Sequence, residues 1–114
     1  MKFNINKEQL SFPIKQTGIQ FRFEKDGKSV AWAEFENGEI SFALFFDTHD
    51  SPLIIRAKAK LGDIVRVVCL PYRMELYVND MIADEEWGFG KTEMSEAELT
   101  ESTTELSVLP IHDL

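Results

Sequence analysis

The sequence predicts an all-β fold, and three observations support that prediction. Short runs such as Ile19–Lys25 and Glu39–Phe46 alternate between apolar and polar residues, and a period of two puts neighbouring side chains on opposite faces of a strand. The pairs Asp26-Gly27 and Asn37-Gly38 separate such runs, and pairs of this type favour the tight turn of a hairpin. The chain of 114 residues contains nine Phe, a residue type enriched in strands. Regular short strands joined by such turns are typical of a β-sandwich or a barrel.

The first 18 residues predict short edge strands. Phe3 and Ile5 alternate with polar residues, and Leu10 and Phe12 do the same further along. Pro13 fits a strand at the edge of a sheet, where its missing backbone donor is tolerated.

The next segment predicts an antiparallel meander of three strands. Ile19–Lys25, Ser29–Phe35 and Glu39–Phe46 are joined by the two turn pairs named above. The facing of the middle strand stays open at this point, because its apolar residues fit two phases. The residues directed at the core are either Val30 and Trp32 or Ala31, Ala33 and Phe35.

After a polar loop, Leu53–Lys60 predicts another strand, and Asp63–Gly90 predicts three more. The first of these three alternates around Val65 and Val67, and the second alternates around Met74, Leu76 and Val78. Asn79-Asp80 then predicts a third hairpin turn, because both residue types tolerate the left-handed region. The segment from 19 to 87 thus contains seven or eight predicted strands.

The last 24 residues differ from the rest in charge. Residues 1–90 contain 14 acidic and 11 basic side chains, whereas residues 91–114 contain six acidic and one basic. We therefore divide the chain into a β-sandwich domain, 1–90, and an acidic tail, 91–114. The tail is either a solvated linker or a docked segment with a short helix across Glu96–Leu99, for which Ser95 to Glu98 offers a capping-box pattern. Ser107–Ile111 fits a last strand.

Charge and composition narrow the classes of partner. The net charge of −8 argues against nucleic acid or an anionic membrane surface, and no run approaches the ~18 apolar residues of a spanning helix. The N-terminus lacks a signal-peptide pattern, and Cys69, the only cysteine, lies in an apolar run that predicts a buried, unreactive thiol. We expect a cytoplasmic protein without a cofactor.

The stretch Asp63–Asp80 resembles the late hairpin of laminin G-like and concanavalin A-like sandwiches. The continuation Asp84–Gly90 resembles the small sandwich domains attached to glycoside hydrolases of the sucrase and levanase type, family 32. The resemblance covers roughly residues 21–90. It implies an antiparallel, jelly-roll-like sandwich of the concanavalin A-like type, smaller than the complete fold.

The motifs that the resembled hydrolases use for catalysis are absent. Their catalytic domains carry an Asn-Asp-Pro-Asn-like nucleophile motif, an Arg-Asp-Pro and a Glu-Cys. Here Asn79-Asp80 is followed by Met81, no Arg-Asp-Pro exists, and Cys69 follows Val68. The resemblance therefore extends to an accessory domain only, and we assign no catalytic residue.

A metal site has weak support in one loop. Asp47, His49 and Asp50 lie within four residues, and the resembled laminin G-like domains sometimes hold calcium. Calcium takes about six to eight oxygen ligands, so Asp47 and Asp50 are too few by themselves. We interpret this segment as a polar loop and expect no metal.

Carbohydrate binding is the chemistry that the remaining side chains support. Sugars stack their C–H faces on aromatic rings beside polar side chains. The candidate residues are Trp32, Arg73, Glu75, Tyr77 and Trp87. The competing interpretation is structural, with Trp87 closing one end of the sandwich and Tyr77 packing against the tail or a partner.

The predicted function is a non-catalytic accessory module like those of glycoside hydrolases. It would bind carbohydrate weakly or pack against a catalytic domain or a second copy of itself. Two rivals remain, namely a stand-alone glycoside-processing enzyme with an acidic cleft and a purely structural, self-associating sandwich. Phe45 and Ile54 are out of phase with the predicted core positions of their strands, so we expect them on an outer, interface-forming face.

Overall fold

A computed structural model describes residues 2–4, 7–45, 52–71, 73–87, 96–102 and 106–111. These residues form eleven β-strands and no helix. The strands are β1 (Lys2–Asn4), β2 (Glu8–Pro13), β3 (Gly18–Lys25), β4 (Lys28–Glu36), β5 (Glu39–Leu44), β6 (Leu53–Lys58), β7 (Ile64–Cys69), β8 (Arg73–Val78), β9 (Met81–Trp87), β10 (Glu96–Ser102) and β11 (Ser107–Pro110).

The strands form two sheets that pack face to face. Sheet A has the order β1-β10-β3-β4-β5-β6, and sheet B has the order β11-β2-β7-β8-β9. The neighbouring strands pair antiparallel throughout both sheets. The predicted all-β antiparallel sandwich is therefore confirmed. Among the described residues, none lies in a helix that could cross a membrane.

The three predicted hairpin turns are all present. Asp26 and Gly27 have φ of 53° and 80°, and Asn37 and Gly38 have φ of 52° and 73°. Asn79 and Asp80 repeat this pattern with φ of 50° and 68°. Positive φ at both central residues is the geometry whose twist matches that of the flanking strands. These turns fix β3–β4–β5 and β8–β9 as local hairpins.

One apolar core lies between the sheets, and aromatic rings form much of it. Phe12 of sheet B meets Phe21 of sheet A edge to face, with ring centroids 4.9 Å apart. The predicted core positions of β7 and β8 are fully buried, except for Val78, which is partly buried. Cys69 is buried, as predicted. The fully buried residues include Phe3, Leu10, Phe12, Phe21, Phe23, Leu44, Ile55, Val65, Val67, Met74 and Leu76.

An irregularity in the first hairpin decides the facing of β4. The turn at residues 26–27 pairs Lys25 with Lys28, but after a register shift Phe23 pairs with Ala31 rather than with Val30. Val30 is the extra residue of this bulge. The core-facing residues of β4 are consequently Ala31, Ala33 and Phe35, the bulge residue Val30 joins them in the core, and Trp32 is on the outer face.

Gln20 is the extra residue of a second shift, on β3. Its side chain is buried, accepts a hydrogen bond from the backbone N–H of Lys15 (3.2 Å) and donates to the carbonyls of Gln16 (2.6 Å) and Gly18 (3.1 Å). The Gln20 amide thus forms hydrogen bonds with backbone groups of the bend that leads into β3. Because its own polar atoms are paired in this way, a buried polar residue is tolerated there.

Two expectations about strand order need correction. A helix across Glu96–Leu99 was one of the two interpretations of the tail, but Glu96–Ser102 is strand β10 and pairs with β1 and β3. The hydrogen-bonding edges of two neighbouring strands override the local capping pattern, because propensity is a weak prior. In addition, β2 lies inside sheet B rather than at its edge. Pro13 is tolerated because only Glu8–Ser11 pairs with β11.

Candidate functional site

The outer face of sheet A carries an aromatic stack. The rings of Trp32 and Phe45 are stacked at 4.8 Å with an interplanar angle of 23°. Ala43, which pairs directly with Trp32, also lies on this face, yet only 7% of its surface is exposed. The stack fixes the plane of the Trp32 indole, because Phe45 occupies one of its faces.

A groove lies beside Trp32 on the same face of the sheet. It has a volume of about 350 Å³ and is lined by Ile19, Arg22, Ser29, Trp32 and Glu34; we call it the Trp32 groove. Its lining residues belong to β3 and β4, whereas Phe45 follows β5. The groove therefore combines one aromatic surface with a guanidinium, a carboxylate and a hydroxyl group.

The strand register explains why these groups meet. Arg22 pairs directly with Trp32, and Ile19 pairs with Glu34 in the adjacent row. Directly paired residues in an antiparallel sheet have Cβ atoms about 5 Å apart on the same face. Ser41 of β5 donates to the backbone carbonyl of Glu34 at 3.4 Å and ties that end of the groove to the next strand.

A second cluster lies on the outer face of sheet B. Arg73 forms an ion pair with Glu75 at 3.1 Å, and the Tyr77 hydroxyl donates to the same carboxylate at 3.2 Å. The guanidinium of Arg66 lies 4.0 Å from the Tyr77 ring centroid, and that of Arg73 lies 5.3 Å from the Trp87 ring centroid. We call these five residues the Tyr77 cluster.

The Tyr77 cluster is largely satisfied by its own members. One face of Tyr77 is covered by a guanidinium, and the Glu75 carboxylate already accepts two partners. Burial raises the pKa of Tyr77, and the charge of Glu75 raises it further. Trp87, with 55% of its surface exposed, offers the most accessible ring.

The structure therefore divides the predicted sugar-binding residues between two surfaces. Arg73, Glu75, Tyr77 and Trp87 come together on sheet B, while Trp32 lies on the opposite side of the sandwich. Alternation along β8 brings three of them onto one face, and the β8–β9 register adds Trp87 opposite Arg73. The predicted interface residues Phe45 and Ile54 lie on the outer face of sheet A, in and beside the aromatic stack.

Sequence reasoning identified Trp32 but missed the other four groove residues, Ile19, Arg22, Ser29 and Glu34. A regular hairpin closed at residues 26–27 would pair Arg22 with Ala31, not with Trp32. The bulge at Val30 shifts this register by one residue. No local sequence pattern predicts that shift in register.

Neither the weak metal candidates nor the acidic run that begins at Asp84 adds a catalytic or metal site to the described structure. Asp47, His49 and Asp50 lie outside the described residues, as does the aromatic residue Tyr72. Asp84 accepts hydrogen bonds at 2.9 Å from the backbone N–H groups of Arg56 and of its neighbour Glu85. In the part of the chain that the structure describes, no group of three potential ligands could hold a metal ion.

Comparison with known proteins identifies the fold. The chain superposes on sheep galectin-11, solved in complex with glycerol, with a TM-score of 0.62, 8% sequence identity, and coverage of 96% of this chain and 95% of the galectin. It also superposes on the alginate lyase AlgAT5 of polysaccharide lyase family 7, with a TM-score of 0.53 and 10% identity, over 97% of this chain and 63% of the lyase.

Both neighbours are concanavalin A-like β-sandwiches, so this chain has that fold. No family model and no curated protein sequence matches the chain.

Proposed function

We propose that this protein is a non-catalytic carbohydrate-binding sandwich whose ligand lies in the Trp32 groove. The observation that carries the proposal is the indole of Trp32, which stacks on Phe45 and also lines a groove with polar groups. A sugar ring has apolar C–H faces and polar edges, so it needs an aromatic surface with hydrogen-bonding groups beside it.

The polar groups of the groove complement hydroxyl groups well. Arg22 has donors only, the Glu34 carboxylate has acceptors only, and the Ser29 hydroxyl can do both. A donor and an acceptor beside one aromatic ring can bind two neighbouring sugar hydroxyls, of which one accepts a hydrogen bond and the other donates one. The Trp32 groove has this pair already in position, whereas the polar groups of the Tyr77 cluster bind mainly to one another.

The structural neighbours support the same class of ligand. The galectin was solved with glycerol, which carries vicinal hydroxyls, and the other neighbour is an alginate lyase named for its polysaccharide. The accessory role follows from the resemblance to modules of family 32 hydrolases, and a catalytic domain of that type is the partner we propose for it. A hydrolase gene adjacent to or continuous with this one would support that role.

The experiment is a titration with a panel of neutral and acidic saccharides, including fructans, glucans and alginate fragments. Isothermal calorimetry measures affinity, and NMR indole resonances report which tryptophan is involved. Trp32→Ala should abolish measurable binding, and Arg22→Ala and Glu34→Gln should each weaken it about tenfold, the size of effect that one lost charged hydrogen bond gives. Trp87→Ala, the matched change on sheet B, should leave affinity unchanged.

Two results would contradict the proposal. Binding that is lost in Trp87→Ala but kept in Trp32→Ala would transfer the site to the Tyr77 cluster. A panel without any binder at millimolar concentration would leave the self-associating sandwich as the better interpretation.

A further inference from the structure

Exposed apolar side chains concentrate on one side of this sandwich. Six large apolar residues are at least half exposed among those described, and none of them lies on a strand of sheet A. Leu61 precedes β7 in a turn, and the others belong to strands of sheet B. They are Ile64, Met81, Ile82, Trp87 and Leu109.

Four of these side chains share the outer face of sheet B. Ile64 alternates with the core residue Val65, and Leu109 pairs with Gln9 beside the core residue Leu10. Ile82 pairs with Tyr77, and Trp87 pairs with Arg73. Ile64, Ile82 and Leu109 therefore lie around the Tyr77 cluster, to which Trp87 belongs, on a single surface that we call the sheet B face.

The composition of the sheet B face fits a protein partner better than a sugar. Aliphatic residues at its margins offer nothing to hydroxyl groups, while Trp, Tyr and Arg are the residue types that dominate binding energy in protein interfaces. Contacts within the Tyr77 cluster hold its side chains in one arrangement. Such pre-ordering reduces the entropy that association costs.

We propose that the sheet B face is where two copies of this chain dock. The chain as a whole carries a net charge of −8, so two copies repel each other through most orientations. The sheet B face is an exception, because its charged residues are two arginines, Arg66 and Arg73, and two glutamates, Glu75 and Glu85. A face with both signs and no net charge can meet its own copy.

Among the described residues, one carboxylate on this face has no ion-pair partner. Glu75 and Glu85 pair directly across β8 and β9, and like charges in that position destabilise a sheet. Arg73 bonds to Glu75, and no ion pair links Glu85 to another described residue. An arginine from a second copy would compensate Glu85, which favours a second copy over an acidic partner.

The size of the face limits the area that a dimer can bury. Five strands about 4.8 Å apart and about six residues long at ~3.3 Å each give a flat footprint of about 500 Å². Stable complexes bury about 800 Å² per partner, and transient ones less than about 600 Å². The dimer is therefore weak and reversible, and it forms at high concentration.

Sedimentation equilibrium from about 5 µM to about 1 mM tests the proposal, a range that spans weak association. The average mass should rise toward twice that of the chain. Ile64→Thr combined with Ile82→Thr keeps β-branched residues on exposed strand positions, so folding should be retained, and thermal unfolding checks this. The double variant should raise the dissociation constant about tenfold or more. Ile54→Thr is the control on the outer face of sheet A, where the sequence analysis expected the interface, and under the present proposal it should not change the dissociation constant.

Isoleucine methyl NMR gives a second, site-specific readout. The methyl resonances of Ile64 and Ile82 should shift with protein concentration, and that of Ile54 should not. A strict monomer up to the highest concentration would overturn the proposal. A dimer that Ile54→Thr disrupts and the double variant leaves intact would also overturn it, because association would then involve sheet A.

Discussion

Nδ2 of Asn79 donates a hydrogen bond to Oδ1 of Asp63 at 3.1 Å, and this bond joins two turns that are 16 residues apart in sequence. The other oxygen of Asp63 accepts from the backbone N–H of Lys60, and Oδ1 of Asn79 accepts from the backbone N–H of Ile64. One carboxylate thus connects the turn that enters β7 to the turn between β8 and β9.

The pKa of Asp63 is a test of this connection. The hydrogen bond from Asn79 lowers the pKa of Asp63 below its ordinary value, and the backbone N–H of Lys60 lowers it further. A depressed pKa means that the carboxylate stabilises the fold above the unfolded-state pKa, which is about 3.9, and that this contribution is lost as the pH falls through the folded-state pKa. We expect Asp63→Ala to lower the melting temperature at neutral pH and to match the wild type at strongly acid pH.

The exposed acidic residue Glu36 provides the control for that experiment. Glu36→Ala should leave the melting temperature nearly unchanged at neutral pH. A difference between wild type and Asp63→Ala that persists unchanged into strong acid would contradict the role of the carboxylate charge.

The core position Leu76 makes a quantitative prediction about stability. Its side chain is fully buried between the sheets, so Leu76→Ala should lower the free energy of unfolding by about 2–5 kcal/mol. Leu109 is 55% exposed, and Leu109→Ala should cost less than about 0.5 kcal/mol. Urea denaturation measures both values. Equal effects at the two positions would contradict the assignment of the core.

The turn at Asn79-Asp80 offers a stabilising change. Asp80 has φ of 68°, a region that suits glycine better than any residue with a Cβ. Asp80→Gly creates the pair most favoured in this turn type, and we expect the free energy of unfolding to rise by about 0.5–1 kcal/mol.

Gly38→Ala is the reverse experiment, because Gly38 has φ of 73° and an added Cβ would meet only the Ala59 carbonyl oxygen, at 4.0 Å. It should lose about 1 kcal/mol, and a neutral result would argue against backbone strain as the cause.

Local sequence signals predicted the local parts of this fold. The turn pairs and the alternation around them predict hairpins, and β3–β4–β5 and β8–β9 form as expected. Long-range pairing had no comparable signal. Strand β10 lies between β1 and β3 although some 70 residues of chain separate it from β3, and alternation cannot say which distant strand supplies the hydrogen bonds.

The candidate site shows the same limit. Alternation predicted that Arg73, Glu75 and Tyr77 share a face, because that relationship lies within one strand. Whether Trp32 and Tyr77 share a site depends on which sheet each strand joins, and alternation within a strand cannot predict that. The two residues lie on different sheets. The partnership of Arg22 with Trp32 depends on a bulge, and a one-residue insertion changes every pairing beyond it.

Asp84 allows a test of whether an acidic side chain of β9 has a structural or a catalytic role. Its two oxygens accept backbone N–H groups from Arg56 and Glu85, so Asp84→Ala should lower the free energy of unfolding by about 1 kcal/mol. Glu86→Ala, at an exposed neighbour, should be nearly neutral. The purified protein should not turn over sucrose, levan or inulin, and hydrolysis that disappears in Asp84→Asn would support the stand-alone enzyme instead.

Tyr77 provides a spectroscopic test of the Tyr77 cluster. Burial raises its pKa above the ordinary value, and the neighbouring charge of Glu75 raises it further because a phenolate beside a carboxylate is unfavourable. Glu75→Gln removes that charge but leaves an acceptor for the hydroxyl group. The alkaline midpoint of phenolate absorbance, assigned by its loss in Tyr77→Phe, should therefore fall in Glu75→Gln. Glu85→Gln makes the same chemical change at the residue paired with Glu75 and should shift the midpoint less. Equal shifts in the two variants would mean that the general charge of the sheet, rather than the 3.2 Å contact with Glu75, governs the ionisation of Tyr77.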